Sequence, residues 1–341
     1  MQFQIRDGEI LQAIYDNEGV LAKRQLKKLF WPDKSWRAME QRLAKLYHFE
    51  FLNWPDKDQY KLYPIPEPVC WLGWRGALFV AGARGVTVEE PKGNNEYQLR
   101  KLQKELRKSG IRWVRWPRWS LLRHDLAVVD FRLAVKNSGH LLRSCSIERW
   151  LPESEFRSNM DIVSYKLRDK DGNVTNMHKG VCPDASFDVV YETNSTPEQL
   201  DKITYLLELD MSTHDNLRFG REKAIPGAAY INSPEFKSRF GHNTGYWLVV
   251  TNGGDIRMRN LIRQTREKVG DYAKLFYFTT IKLLETSNVL TAQIWFRGDQ
   301  DNPMGLLNKG AKKEFLVSSE ATNKNIVYRA EFAGNVTARM C

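Results

Sequence analysis

Apolar residues Ile5, Ile10, Leu11, Ile14 and Tyr15 recur at helical spacing and predict a first helix, which Gly19 ends. The stretch 20–30, VLAKRQLKKLF, carries an apolar stripe of Leu21, Leu26, Leu29 and Phe30 between four basic residues, and Pro32 breaks it. A third helix is predicted in SWRAMEQRLAKLYHF, with Ser35 as N-cap and Ala38, Met39, Leu43 and Leu46 facing inward. The period then changes. Residues 51–54 and 59–62 read as the two strands of a hairpin, with Pro55, Asp56, Lys57 and Asp58 as its turn. WLGWRGALFVAG predicts another short helix, and EYQLRKLQKELRK a basic helix striped by Leu99, Leu102 and Leu106.

From His124 onward the pattern alternates between helix and strand. HDLAVVDFRLAVK is helical through Leu126, Val129, Leu133 and Ala134, and LLRSCSIERW is a strand. DIVSYKLRDKDGNVTN holds the hairpin signal Asp171-Gly172. GVCPDASFDVVYE, KITYLLELD, GYWLVVT and KLFYFTT are strands, separated by helices in THDNLRFGREKAIPGAAYIN and IRMRNLIRQTREKV. This order predicts an α/β layer with a mixed sheet. Beyond Phe296 the periodicity fades, and the tail reads as an extended arm or a loosely packed extension. The predicted boundaries are 1–66, 67–123, 124–296 and 297–341.

The 341 residues suit two or three domains, with 42% hydrophobic and 27% charged residues. No apolar run reaches the roughly 20 residues of a bilayer span, and the first residues lack a signal-peptide core, so a cytoplasmic protein without a membrane partner is expected. Cys70, Cys145, Cys182 and Cys341 are scattered, against both a zinc finger and a disulfide framework. The net charge of +11 is uneven: residues 1–123 hold 23 of the 52 Lys+Arg and 14 of the 41 Asp+Glu, a net of +9. A phosphate backbone is the commonest partner of such a stretch.

Three helices followed by a two-stranded ribbon is the order of a winged helix-turn-helix, whose third helix enters the major groove. Candidate DNA contacts are Lys34, Arg37, Gln41, Arg42, Lys45 and Lys57. Arg37, Gln41 and Lys45 follow i, i+4, i+8 spacing on one helix face. Winged helices also serve as protein-interaction modules, and such proteins often pair to read symmetric sites. Trp113, Trp116 and Trp119 alternate with Arg112, Arg115 and Arg118, either as a base-stacking surface or as an interdomain packing seam.

The candidate chemistry lies in Asp184, Glu208 and Asp210. Glu208 and Asp210 are two apart on a strand and share a face, where two carboxylates repel unless a positive charge sits between them. On adjacent strands, Asp184 and Glu208 are hard oxygen donors suited to Mg²⁺ or Mn²⁺, which need only one or two carboxylates plus substrate phosphate. Pro183-Asp184 followed by Glu208-Leu209-Asp210 resembles the PD-(D/E)XK nuclease superfamily, and the helix–strand order is similar to its restriction-endonuclease-like core. Across most of its length the chain resembles the replication-relaxation family of plasmids and integrative mobile elements. The shared features are a winged helix, a helix led by a histidine (His124), a Trp-x-x-Glu segment (Trp150, Glu153), a Pro-Asp strand, and a Glu-hydrophobic-Asp strand before a lysine-bearing helix.

The resemblance implies that Asp184 and Glu208 hold the metal and that Glu153 is a further acidic group of the site. It implies that His124 orients the site or caps its own helix. Asp210 stands where the signature has lysine, so Lys223 or Arg221 on the next helix is expected to reach back and supply that charge. The alternative is a salt-bridge network of Glu208 and Asp210 with Lys223 and Arg221, Asp184 capping a turn after Pro183. Two functions follow: a metal-dependent DNA nuclease or nickase of a mobile element, acting in replication or transfer alongside other proteins of that process, or a non-catalytic, sequence-specific DNA-binding regulator with a degenerate nuclease-like domain.

Overall fold

A computed structural model describes residues 2–140, 142, 145–168, 174–192, 200–212 and 215–307. The chain divides into two compact units, and the division falls between Val129 and Asp130 inside one long helix. No helix among the described residues is long and apolar enough to cross a membrane. Cys70, Cys145 and Cys182 are free thiols.

The first unit runs α1 (Ile5–Asp16), β1 (Val20–Ala22), α2 (Lys23–Phe30), α3 (Trp36–His48), β2 (Leu52–Asn53), α4 (Lys57–Leu62), β3 (Val69–Leu72), α5 (Trp74–Ala83), α6 (Glu96–Lys108) and the start of α7 (Leu122–His140). Ile10, Leu11 and Ile14 of α1 are fully buried, as the period requires, whereas Ile5 is exposed. Gly19, at φ +88°, turns the chain out of α1, and a Cβ there would lie 2.6 Å from Val114. Met39, Leu43 and Leu46 of α3 point into the core, Ala38 does not, and the Ser35 hydroxyl accepts from the Ala38 N–H at 3.3 Å.

Two expectations fail here. Val20–Ala22 is a strand rather than the start of a helix. Residues 59–62 are not a hairpin strand either: they lie in α4, where Asp56 and Gln59 form a reciprocal capping box that starts a helix. The strand that pairs with β2 is instead β3, and its Trp71 and Leu72 open the stretch expected to be helical. β3 lies between its neighbours, in the order β1-β3-β2, with Val20 opposite Trp71 and Leu52 opposite Leu72.

The second unit takes the rest of α7 and continues through β4 (Cys145–Pro152), α8 (Glu153–Ser158), β5 (Asp161–Arg168), β6 (Val174–Val181), β7 (Ala185–Glu192), β8 (Leu200–Asp210), α9 (Asn216–Phe219), a π-helical turn (Gly220–Ala224), α10 (Ile225–Ile231), α11 (Pro234–Phe240), β9 (Gly245–Thr251), α12 (Gly254–Val269), β10 (Phe276–Thr280), α13 (Ile281–Glu285), β11 (Trp295–Arg297) and β12 (Pro303–Met304). Seven strands form a mixed sheet in the order β12-β11-β10-β9-β8-β7-β4. β7 runs antiparallel to both its neighbours, β4 and β8; β8, β9 and β10 are parallel; β11 is antiparallel to β10 and β12 to β11. The residues just past 296 therefore extend the sheet rather than leave it. The rest of the predicted arm, 308–341, lies outside the described residues, as does the turn at Asp171-Gly172.

Alternation along β8 sorts its side chains between the two faces. Tyr205 meets Phe187 on the face where Phe131 of α7 also packs. Leu206 joins Trp247, Val249, Phe276 and Phe278 under Phe219, Ala224, Ala228, Leu261 and Ile262 from the helices on the other face. Leu206, Glu208 and Asp210 share that second face, so both carboxylates emerge beneath α9–α12.

Candidate functional site

Asp184 sits one residue before β7, where Ala185 lies opposite Leu207 of β8. Its N–H donates to the Leu207 carbonyl at 2.9 Å, and its Oδ2 accepts from the Leu209 N–H at 2.7 Å. Two backbone bonds thus fix its carboxyl against β8, one residue either side of Glu208. Glu208 is buried, and the Lys223 amine contacts both of its oxygens, at 2.7 Å to Oε1 and 2.8 Å to Oε2. Desolvation opposes the charge on Lys223, but the pull of Glu208 and Asp184 outweighs it and holds the ammonium above its usual range. The lysine side chain keeps 44% of its surface open, so the cluster faces solvent on one side.

The π-helical turn is what aims Lys223. Gly220 inside it approaches α12 so closely that a Cβ would meet Lys268 Cγ at 2.9 Å. The widened turn lets α9 lay Phe219 into the core while Lys223 reaches down to β8. Arg221, in the same turn, is exposed and makes no ion pair with Glu208 or Asp184 among the described residues. Of the two expected candidates, only Lys223 is brought to Glu208.

Asp210 is taken up elsewhere. Arg257 of α12 grips it through Nε at 2.9 Å and Nη2 at 2.8 Å, the Thr251 hydroxyl donates at 2.7 Å, and the Ser212 N–H at 3.2 Å. Burial pushes the Asp210 carboxyl up, yet the bonds from Arg257 and Thr251 outweigh it and hold it below the usual range. The two carboxylates therefore do not share one cation: Glu208 has Lys223 and Asp210 has Arg257. Thr251 and Arg257 were not singled out in the sequence. The only signal for them was a basic residue early in the helix that follows a strand parallel to β8.

Glu153 opens α8 and pairs with Arg157 at 2.6 Å. Its carbonyl faces the Cys182 thiol at 3.9 Å. Burial raises the Cys182 pKa, and the charges of Glu153 and Asp184 raise it further against the opposing pull of Arg157 and Lys223. Cys182 thus feels Glu153, Asp184 and Lys223 at once. His124 lies in the first turn of α7 with its Nδ1 3.6 Å from Asp125.

No group of three or more His, Cys, Asp and Glu side chains converges as a metal cage among the described residues. What Asp184 and Glu208 present is a pair of carboxylates. That hard, all-oxygen set fits Mg²⁺ or Mn²⁺, ions that keep most of their waters, rather than a softer metal.

In the first unit, Arg37, Gln41 and Lys45 are exposed along α3, together with the half-exposed Trp36; Lys34 is exposed just before its N-cap, and Lys57 at the start of α4. Arg42 differs from them. Its guanidinium binds both oxygens of Asp7, a wholly buried carboxylate, and donates to the Gln2 carbonyl, so its charge is spent inside the unit. The Trp-rich segment also packs within this unit. Trp113 is buried and donates to the Leu72 carbonyl, Trp119 stacks on Tyr63 and meets Trp71 edge-on, and only Trp116 is widely exposed. Arg112, Arg115 and Arg118 pair with Glu18, Glu96 and Asp125.

No protein-family model matches the chain, and no curated protein and no solved structure matches it.

Proposed function

We propose that this chain is a DNA-binding protein of a mobile element whose second unit is a metal-dependent DNA nuclease or nickase acting in replication or transfer. The carrying observation is the Lys223 amine on both oxygens of Glu208, beside an Asp184 that two backbone bonds hold against β8. In this reading the lysine absent from position 210 is supplied from the next helix. The order α7, β4, β7, β8, α10, β9, with three antiparallel strands and then a parallel one, supports a restriction-endonuclease-like core. The order α1, β1, α2, α3, β2, β3 and the sheet β1-β3-β2 support a winged helix-turn-helix that presents Arg37, Gln41 and Lys45. Both are in keeping with the resemblance to the replication-relaxation family.

Asp184 and Glu208 would hold a Mg²⁺ or Mn²⁺ ion, which polarises a scissile phosphate and acidifies a bound water when present. The chain's own part is electrostatic and positional. Lys223 stabilises negative charge that builds on the phosphoryl oxygens, and its fixed seat on Glu208 avoids reorganisation when that charge develops. Asp184, anchored through Leu207 and Leu209, cannot swing away from the pair. The test is nicking of supercoiled plasmid with Mg²⁺ or Mn²⁺ by the full chain and by Asp184→Ala. Nicking by the wild type that the variant loses is expected; equal nicking by both sinks the nuclease reading.

One observation favours a second reading. Position 210, where the signature has lysine, holds an aspartate that Arg257 and Thr251 fasten within the unit. A sequence-specific regulator with a degenerate nuclease-like unit would show steeply salt-dependent DNA binding, no nicking, and no change in affinity on Asp184→Ala.

A further inference from the structure

Several cations gather at the π-helical turn around one half-exposed carboxylate, Glu222, which stands between Arg221 and Lys223. The Arg218 guanidinium binds Glu222 at 2.9 Å. Lys179 of β6 approaches from a different element. Directly opposed residues of an antiparallel pair share a face. Lys179 lies opposite the buried Val163 of β5, on the face that packs against α10, and α10 continues directly from the turn. The Arg218 hydrogen bond, against desolvation, holds the Glu222 carboxyl below its usual range, and the charges of Lys179 and Arg221 act in the same direction. Lys268 arrives from α12. Gly220 makes room for it: a Cβ there would meet Lys268 Cγ at 2.9 Å. The aliphatic stem of Lys268 thus lies across the turn, and the residue is exposed, so its ammonium ends in solvent beside it.

These cations are not equally committed. Arg218 is taken up by Glu222 and Lys223 by Glu208. Lys179, Arg221 and Lys268 are exposed and make no ion pair among the described residues. Three elements distant in sequence therefore each bring an uncommitted positive charge to the same turn, the one that seats Lys223 on Glu208. Like charges gathered in this way repel one another, and a single carboxylate already bound by Arg218 does not neutralise them. An anion with several charges would.

We propose that Lys179, Arg221 and Lys268 form a rim that docks the phosphates of the DNA backbone flanking the one presented to Asp184, Glu208 and Lys223; this rests on reading the second unit as one that acts on DNA. Asp184 and Glu208 by themselves repel a polyanion, and the rim offsets that repulsion where the backbone must come closest. Lysine and arginine contacts to phosphate position a strand without reading its sequence. The rim therefore acts on every sequence alike, whereas the exposed face of α3 carries the groups suited to base edges.

The test is binding of two labelled duplexes of unrelated sequence by the full chain in EDTA, followed by fluorescence anisotropy over a salt series. The rim variant is Lys179→Ala/Arg221→Ala/Lys268→Ala. A control, Lys166→Ala/Lys237→Ala/Lys282→Ala, removes the same charge from exposed lysines on other elements of the second unit. The rim variant is expected to bind both duplexes about tenfold more weakly, with a salt slope shallower by about two to three, while the control stays within about twofold of the wild type. Wild-type affinity and slope in the rim variant, with Arg37→Ala/Lys45→Ala still weakened, overturn the rim and leave the DNA-binding reading standing. Equal weakening by the rim and control variants marks an effect of net charge and also overturns it. Binding to phosphatidylserine vesicles that the rim variant loses, with duplex affinity unmoved, makes the patch a membrane-facing surface and overturns it as well. No salt-dependent duplex binding by the wild type removes both readings. Should the triple variant unfold early, Arg221→Glu alone must weaken binding.

Discussion

Lys223 and Arg257 divide between them the two carboxylates of Glu208-Leu209-Asp210, and the division separates the proposed chemistry from fastening. Removing Lys223 takes away the cation at the proposed reaction centre. Lys223→Ala is expected to lower plasmid nicking by about 10²–10³-fold, the usual cost of losing one preorganised stabiliser of developing charge, while circular dichroism stays that of the wild type. Asp210 belongs to stability. Arg257→Ala leaves a mostly buried carboxylate without its guanidinium and is expected to cost about 3 kcal/mol in urea unfolding. The folded Asp210 pKa lies below the unfolded one. Its contribution is therefore complete at neutral pH and is lost as pH falls below about 3.9 and through the folded value. Asp210→Asn should flatten that part of the stability–pH curve, and an unchanged acid limb would count against the clamp. The pairing of Asp210 was illegible in the sequence because its partner lies 47 residues away on another helix. Glu208 and Lys223 were legible as a pair, but nothing in the spacing chose Lys223 over Arg221; the π-helical turn decides it.

Elements show the same split between what period reveals and what local competition decides. α3 is legible to its cap, because Ser35 and the stripe of Met39, Leu43 and Leu46 act together. Its basic residues look alike in the sequence and are not. Arg37 and Lys45 face solvent, whereas Arg42 neutralises the wholly buried Asp7. Arg42→Ala is expected to destabilise the protein by about 3 kcal/mol, read as a lower unfolding midpoint. Arg37→Ala should leave that midpoint within about 0.5 kcal/mol of the wild type and weaken DNA binding instead. Equal stability of the two variants would refute the distinction. The missed elements were short. β1 has three residues and β3 four, runs in which periodicity cannot separate strand from helix. The capping box at Asp56 and Gln59 was a visible signal for α4, hidden by the resemblance of the segment to a hairpin.

At the scale of the whole molecule, the alternation of helix and strand after His124 made a mixed sheet legible, and the long apolar strands β8, β9 and β10 lie at its centre. The two added edge strands were not legible, since β11 and β12 are three and two residues long. The uneven charge belongs to this scale too. Net +9 over residues 1–123 predicts that DNA affinity falls steeply between low and physiological salt, measurable by anisotropy on the full chain. A flat salt response would remove the electrostatic case for a nucleic-acid partner. The Trp-rich segment shows how composition misleads: aromatic and basic residues alternate there, yet Trp113 and Trp119 pack inward and each of the three arginines has a carboxylate.

The π-helical turn at Gly220–Ala224 also sets how this site tolerates changes in length. A π turn holds one more residue than the α turn it replaces, and one residue of α-helix turns the chain by about 100°. A single-codon deletion within it would rotate α9 against α10 by that angle. Phe219 could then keep its place in the core, or Lys223 its place on Glu208, but not both. The turn should therefore tolerate replacement of the exposed Arg221 far better than removal of it.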